Sequence, residues 1–487
     1  MAVKTETAPL FASWIGGEAR DAGKQTVEAL VSPWDGAVVA RVAMADHETV
    51  DAAADTARAA FLANRSEPPA TRAEWLRAAA TEVEKAKDAI VETTVRALGK
   101  PRRATNFEVG RTAQFMRLCA EELLRVEGEV LPLDALPMGV GRFGFTRRHP
   151  HGVIAAITPF NAPSNLLMQK VAPALAMGNA VIIKPAFEGV GEALIYADCF
   201  RLAGVPDGLV SVVPCRRDTV GYLVAHKSVA MVTLTGGTAA GHALARAAGA
   251  KPFVGELGGN SANIVCADAD VKDAALRIVP SAFEASGQQC ISAQRIIVDE
   301  KVLDEFMTHF VAAAKALKVG DPNRPETDVG PMVNKAAADR VEAMVEEAIR
   351  RGAKAALPLK REGCTIHPTI VVAPPSDTRV VREEIFGPVA AVIPAVDLND
   401  AIRIANDSEF GLQSACFTSS LETAFRVSEE LHVGSLWINE GSRFRMDTTP
   451  FGGVGSSGYG REGVKYALHE LSYVKFTGIR FPGREAK

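Results

Sequence analysis

The 487-residue sequence predicts an α/β protein built from two parallel-sheet domains and a small β arm. Three observations carry that prediction. Short unbroken apolar runs alternate with amphipathic helical stretches along most of the chain. The runs fall into two sets, one before and one after residue 257. Two further segments, near residues 130–151 and 471–480, alternate basic and apolar residues instead.

The helical stretches include "HETVDAAADTARAAFLA" and "DEFMTHFVAAAKAL", with apolar residues at helical spacing. The strand-like runs are "GVIAAIT", "NAVIIKP", "AMVTLTG", "SANIVCA" and "RIIVDE". Their continuous hydrophobicity marks strands buried on both faces. Strand, helix, strand repetition predicts parallel sheets with ligands at the carboxyl ends of the strands. The first set runs over about 150–256 and the second from Leu257 to about 455. "GRFGFTRRHPHG" and "LSYVKFTGIRF" read as exposed strands. A lone ribbon is marginally stable, so they are expected to pair with a sheet or another subunit.

Composition excludes several classes. Lys and Arg number 54 and Asp and Glu 58, for a net charge of -4, and no long basic block occurs. Nucleic acid and anionic membrane partners are therefore not expected. The start of the chain lacks the apolar core of a signal peptide, and no apolar run is long enough to span a bilayer. Seven scattered cysteines form no CxxC pair. Neither a disulfide framework nor a metal site is expected, and a reduced cytoplasmic location fits best.

Six stretches hold chemistry-bearing residues. Cys290 sits in "FEASGQQCISAQR", on the polar approach to an apolar strand and after Gly287. It is either an ordinary core thiol or a nucleophile, since the thiolate is the reactive form. Glu256 in "VGELGGNSANIV" is either a solvated loop acid or a general base near that thiol. Asn161 in "AITPFNAP" makes an Asx turn or points its amide at an oxyanion. Lys184, before Pro185, ends a strand and could reach a ribose or a phosphate. "TLTGGTAAG" places N–H groups at a helix start, which suits a phosphate. Glu384 and Phe386 lie in "VREEIFGP", and a glycine-rich loop follows "TPFGGVG". Each of these alone is compatible with a turn.

In this order and spacing the blocks resemble the aldehyde dehydrogenase superfamily over nearly the whole chain. The matching residues are the Asn161 loop, Lys184-Pro185, Thr235 to Gly241, Glu256-Leu257-Gly258-Gly259, Gly287 to Cys290, Glu384 to Pro388, and Pro450 to Gly453. The resemblance implies two Rossmann-like domains plus an oligomerisation arm. Residues 1–128 and 151–256 would form the cofactor domain and 257–455 the catalytic domain. Residues 129–150 and 456–487 would form the arm and C-terminal segment, pairing across a homodimer or homotetramer.

It also implies an NAD- or NADP-dependent, hydrolytic oxidation of an aldehyde. Cys290 would be the nucleophile, Asn161 the oxyanion donor and Glu256 the activator of water. Ile157, Thr158, Pro159, Phe160, Lys184, Gly237, Thr238, Leu257, Glu384 and Phe386 would line the cofactor. The acyl-transferring branch lacks the general-base glutamate, so Glu256 argues against it. A non-catalytic relative of the fold is the reading from another class, and Cys290, Asn161 and Glu256 together argue against that.

Several positions depart from the pattern. Gly237 stands where relatives often have serine, and Phe160 where many have tryptophan. Phe187 replaces a glutamate common in NAD-specific members, which leaves both cofactors open.

Within the superfamily, "SRFRMDTTPFGGVGSSGYGREGVKYALHELSYVK" resembles the branch with lactaldehyde and sulfolactaldehyde dehydrogenases. That implies a small polar or anionic aldehyde. Arg111, Phe115, Gln289 and Arg445 are the candidate substrate residues, because arginine suits a carboxylate or sulfonate. For Arg445, a salt bridge with Asp447 is the competing assignment. Gln289 and Ala162 argue against phosphonoacetaldehyde. Aromatic aldehydes and succinate semialdehyde are the alternative substrates.

Overall fold

A computed structural model describes residues 8–483. The expected first domain and arm extend over residues 1–7 and 484–487, which lie outside the described residues, as does the first part of the segment read for a signal peptide. Two large sheets dominate. The first has eight strands, in the spatial order Gly458–Tyr459, Phe253–Glu256, Val229–Thr235, Val153–Ile157, Ala180–Lys184, Val210–Val212, Trp14–Ile15 and Glu18–Ala19. Its five central strands are parallel and its edges antiparallel. The Val153–Ile157 strand is buried along its whole length, as an unbroken apolar run requires when helices cover both faces.

The second sheet has seven strands: Lys354–Leu357, Thr369–Val372, Val389–Ala395, Ala293–Asp299, Ser261–Val265, Gln413–Phe417 and Ser435–Ile438. All pair in parallel except the Lys354–Leu357 edge. A separate three-stranded antiparallel ribbon joins Ser472–Arg480, Arg142–Pro150 and Val130–Leu131. It leaves Tyr473, Val474, Phe476 and Ile479 exposed.

The order of the first sheet fixes the site. The chain builds outward from Val153–Ile157 to Ala180–Lys184 and Val210–Val212, then returns to Val229–Thr235 on the other side. The loops after Ile157 and Thr235 therefore leave neighbouring strands in opposite directions and open a crevice. The chain crosses to the second sheet through Leu257–Asn260, between strands ending at Glu256 and starting at Ser261. Ligands were expected at the carboxyl ends of both sheets. The first sheet obeys, with Thr158, Lys184, Gly236 and Glu256. The second presents its amino ends: Cys290 precedes the strand at Ala293, and Glu384 to Gly387 precede the strand at Val389.

Candidate active site

The thiol loop is built from unusual backbone. The helix Val271–Phe283 ends, and Ala285, Ser286 and Gly287 follow with φ of 51°, 59° and 63°. Three left-handed residues in a row are costly for side chains with a Cβ, so surrounding bonds must hold them. The Ser286 hydroxyl donates to Gly330 O at 2.8 Å, and the Ser292 hydroxyl to Gly287 O at 3.0 Å. Gln288 Oε1 accepts from Val333 N at 2.9 Å. At Gly259 a Cβ would overlap the Cys290 carbonyl, so only glycine lets the two loops meet there. Cys290 packs at the rim of a small cluster of Ile291, Leu412 and Phe451. Burial, then Glu384, pushes its thiol up to about 12, while Arg445 acts the other way.

Asn161 follows the Val153–Ile157 strand and shares one cavity with Cys290. Lys100 Nζ donates to its backbone carbonyl at 2.9 Å. Lys100 also pairs with Glu108, whose other oxygen accepts from Asn165 N at 2.9 Å. The loop is thus tied down through its backbone, and the Asn161 amide is left without a partner among the described residues. The buried Glu192 lies beneath this region. Burial, then Glu108, raises its carboxyl to about 8, against the Ser164 and Thr94 hydroxyls bonded to it.

Glu256 ends its strand 2% exposed, and neither carboxylate oxygen has a hydrogen-bond partner among the described residues. Burial, then the neighbouring Glu462, holds its carboxyl well above the usual range, opposed by Lys170, Arg445 and Arg461. Lys170 Nζ lies 2.8 Å from Glu462 Oε1, and Arg445 Nη2 3.2 Å from Glu462 Oε2. Burial acts to raise Glu462, but Lys170 and Arg445 outweigh it and hold it below the usual range. The Arg445 guanidinium also lies 3.7 Å from the Phe451 ring centroid.

A cavity of about 710 Å³ runs from Cys290 along the first sheet. It is lined by Ile157, Thr158, Pro159, Phe160, Lys184, Gly236, Gly237, Leu257, Glu384 and Phe386. That volume is in the range of ligand pockets. Its donors suit a dinucleotide. Lys184 ends its strand with no side-chain ion pair among the described residues, and burial lowers its pKa, against Cys215 and Glu188. Glu384 Oε1 accepts from Gly259 N at 2.9 Å, and burial raises its carboxyl to about 7. The helix Thr238–Ala248 starts without a side-chain cap, so its first N–H groups remain available to a phosphate. Phe160 and Phe386 stand edge to face, 5.8 Å apart, at the Cys290 end. Thr238 starts this helix, and its hydroxyl is 3.4 Å from Ser456 O.

The substrate candidates separate. Arg111 and Arg445 both line a second cavity of about 490 Å³, with Phe107, Met446 and Asp447. Arg111 is held bidentate by Asp447, at 2.8 and 2.7 Å, and Gln169 donates to the same acid at 2.8 Å. The salt bridge considered for Arg445 with Asp447 is therefore made by Arg111, and Arg445 pairs with Glu462. Phe115 is fully buried in the first core and is not among the residues lining this cavity. Gln289 accepts from Arg443 Nε at 2.9 Å, and Arg443 pairs with Glu284 at 2.6 Å.

Sequence reasoning missed Lys170, Glu462, Arg443 and Arg217. Lys170 had a readable signal: it is the one cation in "PSNLLMQKVAPALA", a helix with every residue buried. A lysine in such a helix needs a buried acid. Glu462 and Arg443 gave none, because their partners are far away in sequence.

The described residues contain no helix long and apolar enough to cross a membrane, and no cluster of potential metal ligands. The sequence profile of the aldehyde dehydrogenase family matches residues 20–477. A 3-sulfolactaldehyde dehydrogenase of Priestia aryabhattai is 38% identical over 89% of this chain and 91% of its own length. A lactaldehyde dehydrogenase of Methanocaldococcus jannaschii is 35% identical over 95% of this chain and 97% of its own. The structure of an NADP-dependent glyceraldehyde-3-phosphate dehydrogenase from Bacillus halodurans, complexed with NADP, superposes with a TM-score of 0.94. It shares 33% identity and covers 97% of this chain and 99% of that one.

Proposed function

The chain belongs to the aldehyde dehydrogenase family and is an NAD(P)-dependent enzyme, and from that premise we propose that it hydrolytically oxidises a small polar aldehyde through a Cys290 thioester. The observation that carries this is the convergence of Cys290, Asn161, Lys184 and Glu384 on one cavity, with unpartnered Glu256 alongside.

Cys290 Sγ adds to the aldehyde carbon and passes its proton to solvent, which reaches the half-buried thiol, as the C–S bond forms. The Asn161 amide and the Cys290 backbone N–H hold the oxyanion that develops. NAD or NADP supplies the hydride acceptor when bound. Loss of hydride leaves an acyl group on Cys290. Ionised Glu256 then takes a proton from water, which attacks the thioester, releases the carboxylate product and restores the thiol. Lys184 and Glu384 would hold the ribose hydroxyls, and the Gly237 turn would hold the pyrophosphate. Arg217 also lines the cavity, is exposed and pairs with no acid among the described residues. With Phe187 in place of a glutamate, this favours NADP, whose extra phosphate an arginine can grip.

A polar, uncharged tail is the reading supported by the second cavity, since the two arginines that line it, Arg111 and Arg445, each already face a carboxylate. A sulfonate-bearing aldehyde is the second reading, supported by the Priestia relative. Turnover with lactaldehyde, glyceraldehyde, sulfolactaldehyde, succinate semialdehyde and benzaldehyde, each with NAD and NADP, tests this. Highest kcat/KM for a hydroxylated aldehyde with NADP supports it. A clear preference for benzaldehyde sinks the polar assignment. The exposed apolar ribbon residues support pairing of subunits through the arm. A monomer by light scattering contradicts that.

A further inference from the structure

We propose that Arg445 is a positioning residue for thioester hydrolysis, which clamps Glu462 beside Glu256 and does not grip the substrate. The proposal rests on the hydrolytic reading above and deepens it.

The geometry assigns the role. Glu462 is held from two sides, by Lys170 at 2.8 Å on one oxygen and Arg445 at 3.2 Å on the other. The side chains of all three are nearly out of solvent: 0% exposed for Lys170, 3% for Glu462 and 6% for Arg445. The Phe451 ring covers the guanidinium, and Phe451 also packs in the cluster that Cys290 touches. Arg445 Nε is buried with no acceptor, and so is the Glu256 carboxylate. A guanidinium whose charge is already balanced by a buried acid and covered by a ring face gains less from a substrate anion than a free one.

Its field is better placed for the reacting groups. Lys170 comes from the helix Pro163–Ala176, Arg461 and Glu462 from the glycine-rich loop, and Glu384 from the cofactor side. Of these, Lys170, Arg445 and Arg461 favour the ionised form of Glu256, while Glu462 opposes it. Among the charges around Cys290, Arg445 favours the thiolate, while Glu384, Glu256 and Glu462 oppose it. Arg445 acts on both the base and the nucleophile. Removing its charge leaves Glu462 held by Lys170 alone and makes Glu256 harder to ionise.

The test uses full-length enzyme with NADP, and lactaldehyde against sulfolactaldehyde as the neutral and anionic substrates. In Arg445→Gln, the pH midpoint of steady-state turnover is expected to rise by about one unit. The single-turnover burst of reduced nicotinamide persists, and the ratio of the two KM values stays at the wild-type value. Arg445→Lys keeps the charge and serves where the Gln variant does not fold. It is expected to hold the midpoint near wild type with the same KM ratio. An unmoved midpoint in the Gln variant, or a tenfold loss of affinity for sulfolactaldehyde alone in either variant, overturns the proposal. Absence of a burst in the wild type fails the thioester reading instead, and so is told apart from a failure at Arg445.

Discussion

The two sides of Cys290 solve the charge problem in opposite ways. Toward the cofactor, charged groups make no direct ion pair among the described residues: Lys184 and Arg217 have none, with Glu188 acting on Lys184 only at a distance, and the Glu384 carboxylate accepts a backbone N–H at 2.9 Å. Toward the substrate, every arginine has an acid, in Arg111 with Asp447, Arg443 with Glu284, and Arg445 with Glu462. For Lys184 and Glu384, an unpaired buried charge is costly and persists where a ligand will meet it, whereas exposed Arg217 stands in solvent at no such cost. A paired one is neutralised, and its remaining influence is on its neighbours. On the proposed assignment, the cofactor would bring charge that complements Lys184 and Arg217, while the aldehyde would need to bring none.

That comparison can be broken from either side. The largest effect belongs to the thiol on which both sides converge. Cys290→Ala is expected to reduce NADP reduction by about 10⁴-fold or more, read by absorbance, with cofactor binding kept. Activity within tenfold of wild type would remove the thioester from the account. Next is the oxyanion donor: Asn161→Ala should lower kcat by about 10²–10³-fold while leaving the melting temperature near wild type. Its loop is anchored by Lys100 through the backbone, so a large loss of stability would show that the side chain is structural.

The comparison sharpens at Arg217. Arg217→Ala should raise the KM for NADP by about tenfold and leave that for NAD within about twofold, because only the former carries the extra phosphate. Equal changes for both cofactors would move Arg217 out of the phosphate site. The smallest effect is expected on the substrate side. Arg111→Gln should change kcat/KM for lactaldehyde by less than about threefold, since the guanidinium already faces Asp447. A large loss there would show that Arg111 lets go of Asp447 to hold the substrate.

The same contrast explains what the sequence revealed. Much of the cofactor side is local: Ile157, Lys184 and Leu257 sit at or just after the end of a strand whose apolar run is visible, as with Lys184 after "AVII". The thiol loop announced itself through Gly287 and a polar approach. The substrate side is assembled from pairs far apart in the chain, such as Arg111 with Asp447 and Lys170 with Glu462. No periodicity encodes such pairs. Arg445 was legible as a candidate substrate cation, but its partner was not, and Phe115 read as a substrate residue because helical spacing alone does not say which face is buried. The second sheet's use of its amino ends was hidden too, because strand order in space is not written in strand order along the chain.

The central claim is that an acyl group forms on Cys290 and waits for Glu256. Glu256→Gln removes the base and leaves the nucleophile, so intact-mass and peptide analysis after mixing with NADP and lactaldehyde tests it directly. The account predicts one equivalent of reduced cofactor per subunit, slow turnover afterwards, and an acyl adduct on the peptide holding Cys290. Full multiple turnover with no adduct, or an adduct on another residue, would contradict it.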